Sequence, residues 1–181
     1  MPTGPDIPAL ACGAKFRNVR LTAADIRPDD TGYIEFRSRL SASVASGHVY
    51  MVFGRLGPDG NPLTHHIIGL YPKGAIFGIY GGTIAWVPAN VKAYAQECLG
   101  LATLNAWRVS MPEEQYQQLL SKARSTVVRP PLWNMFGYNC NHFALEFGDI
   151  LRLQRPSNLL LPAFAFLPAY INANPDRAKK T

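Results

Sequence analysis

The sequence predicts a single α+β domain, and three observations carry that prediction. Gly47 to Gly54 alternates, with Val49, Met51 and Phe53 on one face and His48, Tyr50 and Val52 on the other. That is a strand with one strongly apolar face. Ser110-Met111-Pro112-Glu113 matches the S-x-x-E capping box that opens helices. Asn139, a good N-cap, precedes Phe143, Ala144, Phe147, Ile150 and Leu151 at helical spacing.

The remaining elements follow in order. Residues 1–32 are rich in Pro, Asp and Gly and are expected to form an extended arm. Periodicity begins near Tyr33. The turn formers Gly57-Pro58-Asp59-Gly60-Asn61-Pro62 end the alternating strand, and Leu63 to Tyr71 returns as its hairpin partner. Ile76 to Tyr80 and Thr83 to Val87, punctuated by glycines, are expected as short strands. Pro88 to Leu99 is expected as a helix with proline in its first turn, and Leu104 to Val109 as a strand. The helix after the capping box should run to about Ser125 and bury Tyr116, Leu119, Leu120 and Ala123. From Arg155 the chain is apolar and proline-punctuated, and Leu159 to Leu167 is expected to cross the domain as strand or coil. The domain is thus expected over 33–172, followed by a flexible basic tail at 173–181.

Composition narrows the function classes. With 181 residues, 48% of them apolar and 17% charged, the chain is an ordinary globular protein that needs no staple to build a core. The formal charge of +6 favours an anionic partner or a membrane surface. The basic residues are scattered, however, and no aromatic-and-basic pattern points to nucleic acid. No apolar run is long enough to span a bilayer, and Ile7 to Ala14 lacks the basic leader of a signal peptide. The protein is therefore expected to be made in the cytoplasm and, if it acts outside, to leave by a signal-independent secretion route. Three cysteines, Cys12, Cys98 and Cys140, with no CxxC pair, read as free thiols of a reduced compartment.

The chemistry centres on Tyr138-Asn139-Cys140-Asn141-His142. A cysteine in the first turn of a helix meets unpaired N–H groups and the positive end of the helix dipole, which favour the thiolate. A buried cysteine that merely packs is the bland alternative, but four polar neighbours argue against it. A nucleophilic cysteine needs a base. His142 lies two positions along the same helix, roughly 200° away, and suits a capping or packing role. His48 opens a rigid strand and is the better base. His65 and His66 occupy opposite faces of the returning strand, and His66 is the narrow choice to orient the His48 ring. Tyr50 or Asn139 would join the Cys140 N–H in holding an oxyanion. A zinc site built on Cys140, His142 and the His65-His66 pair lacks any recognised ligand spacing, so no metal or other cofactor is expected.

These residues carry a resemblance. Asn139-Cys140-Asn141-His142-Phe143, preceded by Trp133-Asn134-Met135-Phe136 and followed by an apolar helix, resembles the nucleophile motif of circularly permuted papain-like cysteine hydrolases. That group includes NlpC-type cell-wall peptidases, PPPDE isopeptidases and lecithin–retinol acyltransferase-like proteins. Gly47-His48-Val49-Tyr50-Met51-Val52-Phe53-Gly54 is similar to the group's histidine strand, and the order His then Cys fits the permutation. The resemblance spans roughly Gly47 to Leu153. It implies a permuted papain-like fold, with an antiparallel sheet packed against helices, and acyl-enzyme chemistry on Cys140 and His48. Asn141 stands where the acyltransferase-like branch has glutamate, which leans toward amide cleavage. The implied substrate is a peptide amide, either a peptidoglycan stem peptide cut by a secreted antibacterial effector with its immunity partner or a protein isopeptide bond. The alternatives are lipid acyl transfer, with Leu159 to Leu167 facing the membrane, and a non-catalytic binding module on the same fold.

Overall fold

A computed structural model describes residues 7–41 and 47–180, so the first six residues of the arm and Thr181 of the tail lie outside the described residues. Among the described residues, seven strands form one sheet in the order β5-β4-β3-β2-β6-β1-β7. They are β1 (Ala23–Asp25), β2 (Gly32–Arg39), β3 (His48–Arg55), β4 (His66–Pro72), β5 (Ala89–Lys92), β6 (Thr103–Met111) and β7 (Lys179–Lys180). The helices are α1 (Ala75–Ile84), α2 (Ala95–Cys98), α3 (Glu113–Val128), α4 (Cys140–Ile150) and α5 (Ala163–Asn172). The α+β class is as expected. The sheet is mixed rather than antiparallel, because β1 runs parallel to β6.

The predicted alternation of β3 builds the core. Val49, Met51 and Phe53 join Ile34 and Phe36 of β2, Ile68 and Leu70 of β4, and Trp107 and Val109 of β6 beneath α3, α4 and α5. Tyr116, Leu119, Leu120 and Ala123 of α3 are buried as predicted, and so are Phe143, Ala144 and Phe147 of α4. The helix starts differ in one respect. Pro112, not Ser110, is the N-cap residue of α3. Ser110 still belongs to β6, with its hydroxyl bonded to Asp30, and Glu113 pairs with Arg55 on β3.

Other expectations are corrected. The glycine-punctuated stretch after β4 is one helix, α1, entered through Gly74 at φ +92°, rather than two short strands. Pro88 to Leu99 is β5 followed by the four-residue α2, because Ala89–Lys92 finds the free edge of β4. Part of the segment from Leu159 to Leu167 is helical, since α5 begins at Ala163 and carries Pro168 inside it. Neither terminus is a loose appendage over its described part. The arm supplies β1, and the tail pairs as β7 against it. Asp25 is 4% exposed and is satisfied by the Arg177 guanidinium at 2.5 Å and by Arg27, since a buried carboxylate needs such partners.

The second face of the sheet is polar yet buried. Glu35 and Arg37 of β2 are fully buried; Glu35 bonds Arg37 Nε at 2.5 Å and Arg108 at 2.7 Å. Phe16 of the arm covers them, stacking on His65 at 3.8 Å with the Arg37 guanidinium over its ring. A Cys12–Cys98 disulfide staples the arm to α2. This corrects the expectation of free thiols: the two cysteines are 86 residues apart, and sequence spacing gives no sign that they meet.

Closing a loop of 86 residues should contribute about 4.6 kcal/mol on a chain-entropy basis. Urea unfolding in the presence of dithiothreitol, or of a Cys12→Ser variant, should show a loss approaching that size. An unchanged midpoint would show that the bond does not form.

Candidate active site

The ladder between β3 and β4 is short. It runs from Phe53↔His66 to Met51↔Ile68 and stops, while β3 stays paired with β2 as far as Arg39↔His48 and β4 with β5 as far as Pro72↔Ala89. The first residues of β3 therefore have an edge that β4 does not cover. The N-terminus of α4 packs there, and the backbone N–H of Val49 reaches the Cys140 sulfur. Gly47, at φ +74°, leads into this edge. A Cβ built on it would lie 2.6 Å from the Arg39 carbonyl oxygen, so the tight entry requires glycine.

The start of α4 is built as the sequence predicts. The Asn139 side chain accepts from the N–H groups of Asn141 (2.9 Å) and His142 (3.4 Å), and His142 Nδ1 accepts from the Asn139 N–H at 3.4 Å. His142 is thus a capping residue. Asn141 Nδ2 donates to the Leu161 carbonyl at 2.8 Å, tying α4 to the segment before α5.

A cavity of about 730 Å³ opens at this junction. Cys140, His48, Arg39 and Asn139 lie on its wall together with Tyr71, Trp133, Met135, Phe136, Leu160 and Leu161. The His48 ring packs 4.4 Å from that of Tyr71. Its Nε2 is buried without a hydrogen bond and lies 3.6 Å from Oε1 of Glu97. Glu97 is fully buried in α2; it also receives Arg39 Nε at 3.4 Å and the Tyr94 N–H at 3.3 Å.

Burial sets the charge states. It pushes the Cys140 thiol up, outweighing the Val49, Asn141 and Cys140 N–H groups and the Arg39 charge, which pull it down. The expected thiolate is therefore not the resting form. His48 is held well below the ordinary imidazole value, first by burial and then by Arg39. Burial likewise raises Glu97 to about 7, against the pull of Arg39. The resting pair is neutral thiol and neutral imidazole, which is the state a general base needs before it accepts a proton.

Not every predicted site residue arrives. His66 pairs with Phe53, five positions along β3 from His48 and on the opposite face of the sheet, with its ring stacked on Phe53. It does not orient His48. Tyr50 is fully buried, its hydroxyl 3.3 Å from Thr103 Oγ1, and it is absent from the cavity wall. Asn139 is on the wall, but its Nδ2 donates to the Met135 carbonyl at 2.7 Å and its Oδ1 caps the helix. Neither side chain is placed to hold an oxyanion as expected. The residue that sequence reasoning missed is Glu97. Its place in the expected helix gave no sign that it would be buried beside His48.

Comparison with family models, with curated proteins and with solved structures finds no match.

Two predictions follow from these charge states and contacts. Alkylation of Cys140 by iodoacetamide should be slow at neutral pH and climb above pH 9, and His48→Ala should slow it further across the neutral range. Unchanged reactivity without His48 would sink the pair. Glu97→Gln should alter the same profile while His66→Gln leaves it in place; the reverse result would restore His66 as the orienting residue.

Proposed function

We propose that this protein is a cysteine hydrolase or acyltransferase of permuted papain-like type, with Cys140 as nucleophile and His48 as base. The observation that carries the reading is the placement of Cys140, the first residue of an Asn-capped helix, on one cavity wall with a buried, neutral histidine backed by a carboxyl group. Nε2 of His48 faces Glu97, and Nδ1 is assigned the exchange of a proton with the sulfur. Sγ attacks the carbonyl carbon as its proton passes to His48, and the Cys140 N–H, the one at the start of α4 that the Asn139 cap does not take, receives the developing oxyanion. Collapse expels the amine or alcohol, which takes the proton from His48, and leaves a thioester on Cys140. Water or an acceptor then attacks, His48 takes its proton, and that proton returns to the sulfur as the acyl group leaves. Glu97 fixes the ring, as the third member of a triad does. No cofactor enters these steps.

The apolar share of the wall (Tyr71, Trp133, Met135, Phe136, Leu160 and Leu161) supports a substrate whose acyl part is an apolar chain. The second reading is the peptide amide, either a peptidoglycan stem peptide or an isopeptide. It is supported by Arg39, Asn90, Gln96 and Asn139 on the same wall. The disulfide supports action in an oxidising compartment. Among the described residues no helix is long and apolar enough to cross a membrane.

Incubation with phosphatidylcholine, with purified peptidoglycan and with an isopeptide-linked conjugate, followed by intact-mass analysis, should reveal an acyl adduct on Cys140 from one of the three. Cys140→Ala should abolish both adduct and product without moving the melting temperature, and His48→Ala should cost about a hundredfold or more in turnover. Because protonated His48 cannot act as base and its pKa is depressed, the acid limb of kcat/KM should fall below pH 6.5. An acid limb above pH 6.5, or turnover that survives loss of Cys140, would refute the mechanism.

A further inference from the structure

The cavity mouth has a surface that acyl-transfer chemistry does not require. Ile84, at the end of α1, is 89% exposed; Trp86 is 55% exposed, Leu132 53%, Phe136 60% and Leu160 58%. Large apolar side chains this open are ordinary singly and informative when contiguous. These are contiguous. Val87 bridges Trp133 through the backbone, the Asn134 side chain donates to the Ala85 carbonyl at 3.0 Å, and the Met135 N–H bonds the Gly82 carbonyl at 3.0 Å. A Cβ built on Gly137 would lie 2.8 Å from the Trp86 ring, so that ring rests directly on the Phe136-Gly137 turn. Phe136 and Leu160 both line the cavity. The α1 helix between Ala75 and Ile84 contains no charged residue.

Charge marks what this rim meets. Three of the stretches that build the cavity and its rim, residues 60–96, 115–145 and 150–175, contain no aspartate or glutamate. They contain Lys73, Lys92, Lys122, Arg124, Arg129, Arg152 and Arg155. Lys73 and Arg129 are exposed and flank the apolar rim. Lys73 is held against Pro88 by its backbone N–H (2.8 Å), and Arg129 closes α3 three residues before Leu132. Of the acids just outside those stretches, Glu97 is fully buried, Glu146 is taken by Lys122 and the Tyr138 hydroxyl, and Asp149 by Arg155.

We infer that this rim is a docking surface for an anionic lipid bilayer, which seats the mouth of the Cys140 cavity at the membrane interface. Ile84, Trp86 and Phe136 enter the boundary between headgroups and acyl chains, while Lys73 and Arg129 meet the anionic headgroups. An apolar tip with a basic flank is the composition that binds such an interface. A second copy of this chain is a poorer occupant, because two basic rims would repel each other. The inference requires no chemistry at Cys140, so its failure and that of the acyl-enzyme reading can be told apart.

The test is flotation of the full chain, as wild type and as Cys140→Ala, with vesicles of phosphatidylcholine alone and of phosphatidylcholine mixed with phosphatidylglycerol. Both proteins should float with the mixed vesicles, with tryptophan fluorescence shifted to the blue, a shift that Trp86→Ser removes, and with binding weakened by salt. Trp86→Ser and Phe136→Ser should each lower the partition coefficient about tenfold. Lys73→Gln and Arg129→Gln should each lower it about fivefold on mixed vesicles only. All four positions are exposed, and an unchanged melting temperature confirms that each variant folds. Three results would overturn the inference: no binding to mixed vesicles, binding indifferent to the four substitutions, or a self-associated species in sedimentation that Trp86→Ser dissolves while vesicles capture nothing.

Discussion

The parting of β3 from β4 is the constraint on which the rest of the site depends. Three residue pairs hold the two strands together, after which β4 follows β5 and β3 follows β2. A fully paired β3 would spend the Val49 N–H on a neighbouring carbonyl. Parted, it offers that N–H to the Cys140 sulfur and leaves room for the cavity. Adjacent residues of a strand point to opposite faces. Val49 therefore meets α4 on the apolar side while His48 turns to Tyr71 and Glu97 on the other. Thiol and imidazole share one cavity wall at an open strand edge, approached from the two faces.

That arrangement loads the second face of the sheet with buried charge. Glu35, Arg37, Arg39 and Glu97 are buried there, and each is countered by another. Buried ion pairs seldom stabilise a fold relative to apolar packing, since desolvation offsets the attraction. Their value here is positional: Arg39 holds Glu97, and Glu97 stands beside His48. The arm and the Cys12–Cys98 bond close this face, with Phe16 over Arg37. The disulfide joins the residue that follows Glu97 to the arm, so the staple that covers the charges also anchors the carboxyl next to the histidine.

Much of this was legible in the chain. Alternation in β3 and helical spacing in α3 and α4 report burial directly, because a side chain's face follows from its position in a regular element. Asn139 was legible as a cap because capping is local, and His142 was demoted as a base by the angle per residue alone. Where apolar runs are short or broken by glycine, strand and helix periods do not separate. That is why α1, β5 and α5 differed from expectation. His66 was a register guess: the turn at 57–62 does not fix the pairing, and one step of register changes the face.

The sequence by itself determined the setting of Cys140 and His48: a cysteine opening an apolar, asparagine-capped helix, and a histidine opening a half-apolar strand. Both are local patterns, set by residues within a turn or two of each other. Tertiary structure alone decided the rest. It chose Glu97 over His66 as the partner of His48, joined two cysteines that spacing kept apart, and removed Tyr50 from the cavity. It also decided the protonation states. A helix N-terminus favours thiolate, but enclosure by the sheet, α4 and the segment before α5 favours thiol. Desolvation depends on every atom packed around the sulfur, and that sum exists only once the chain has folded.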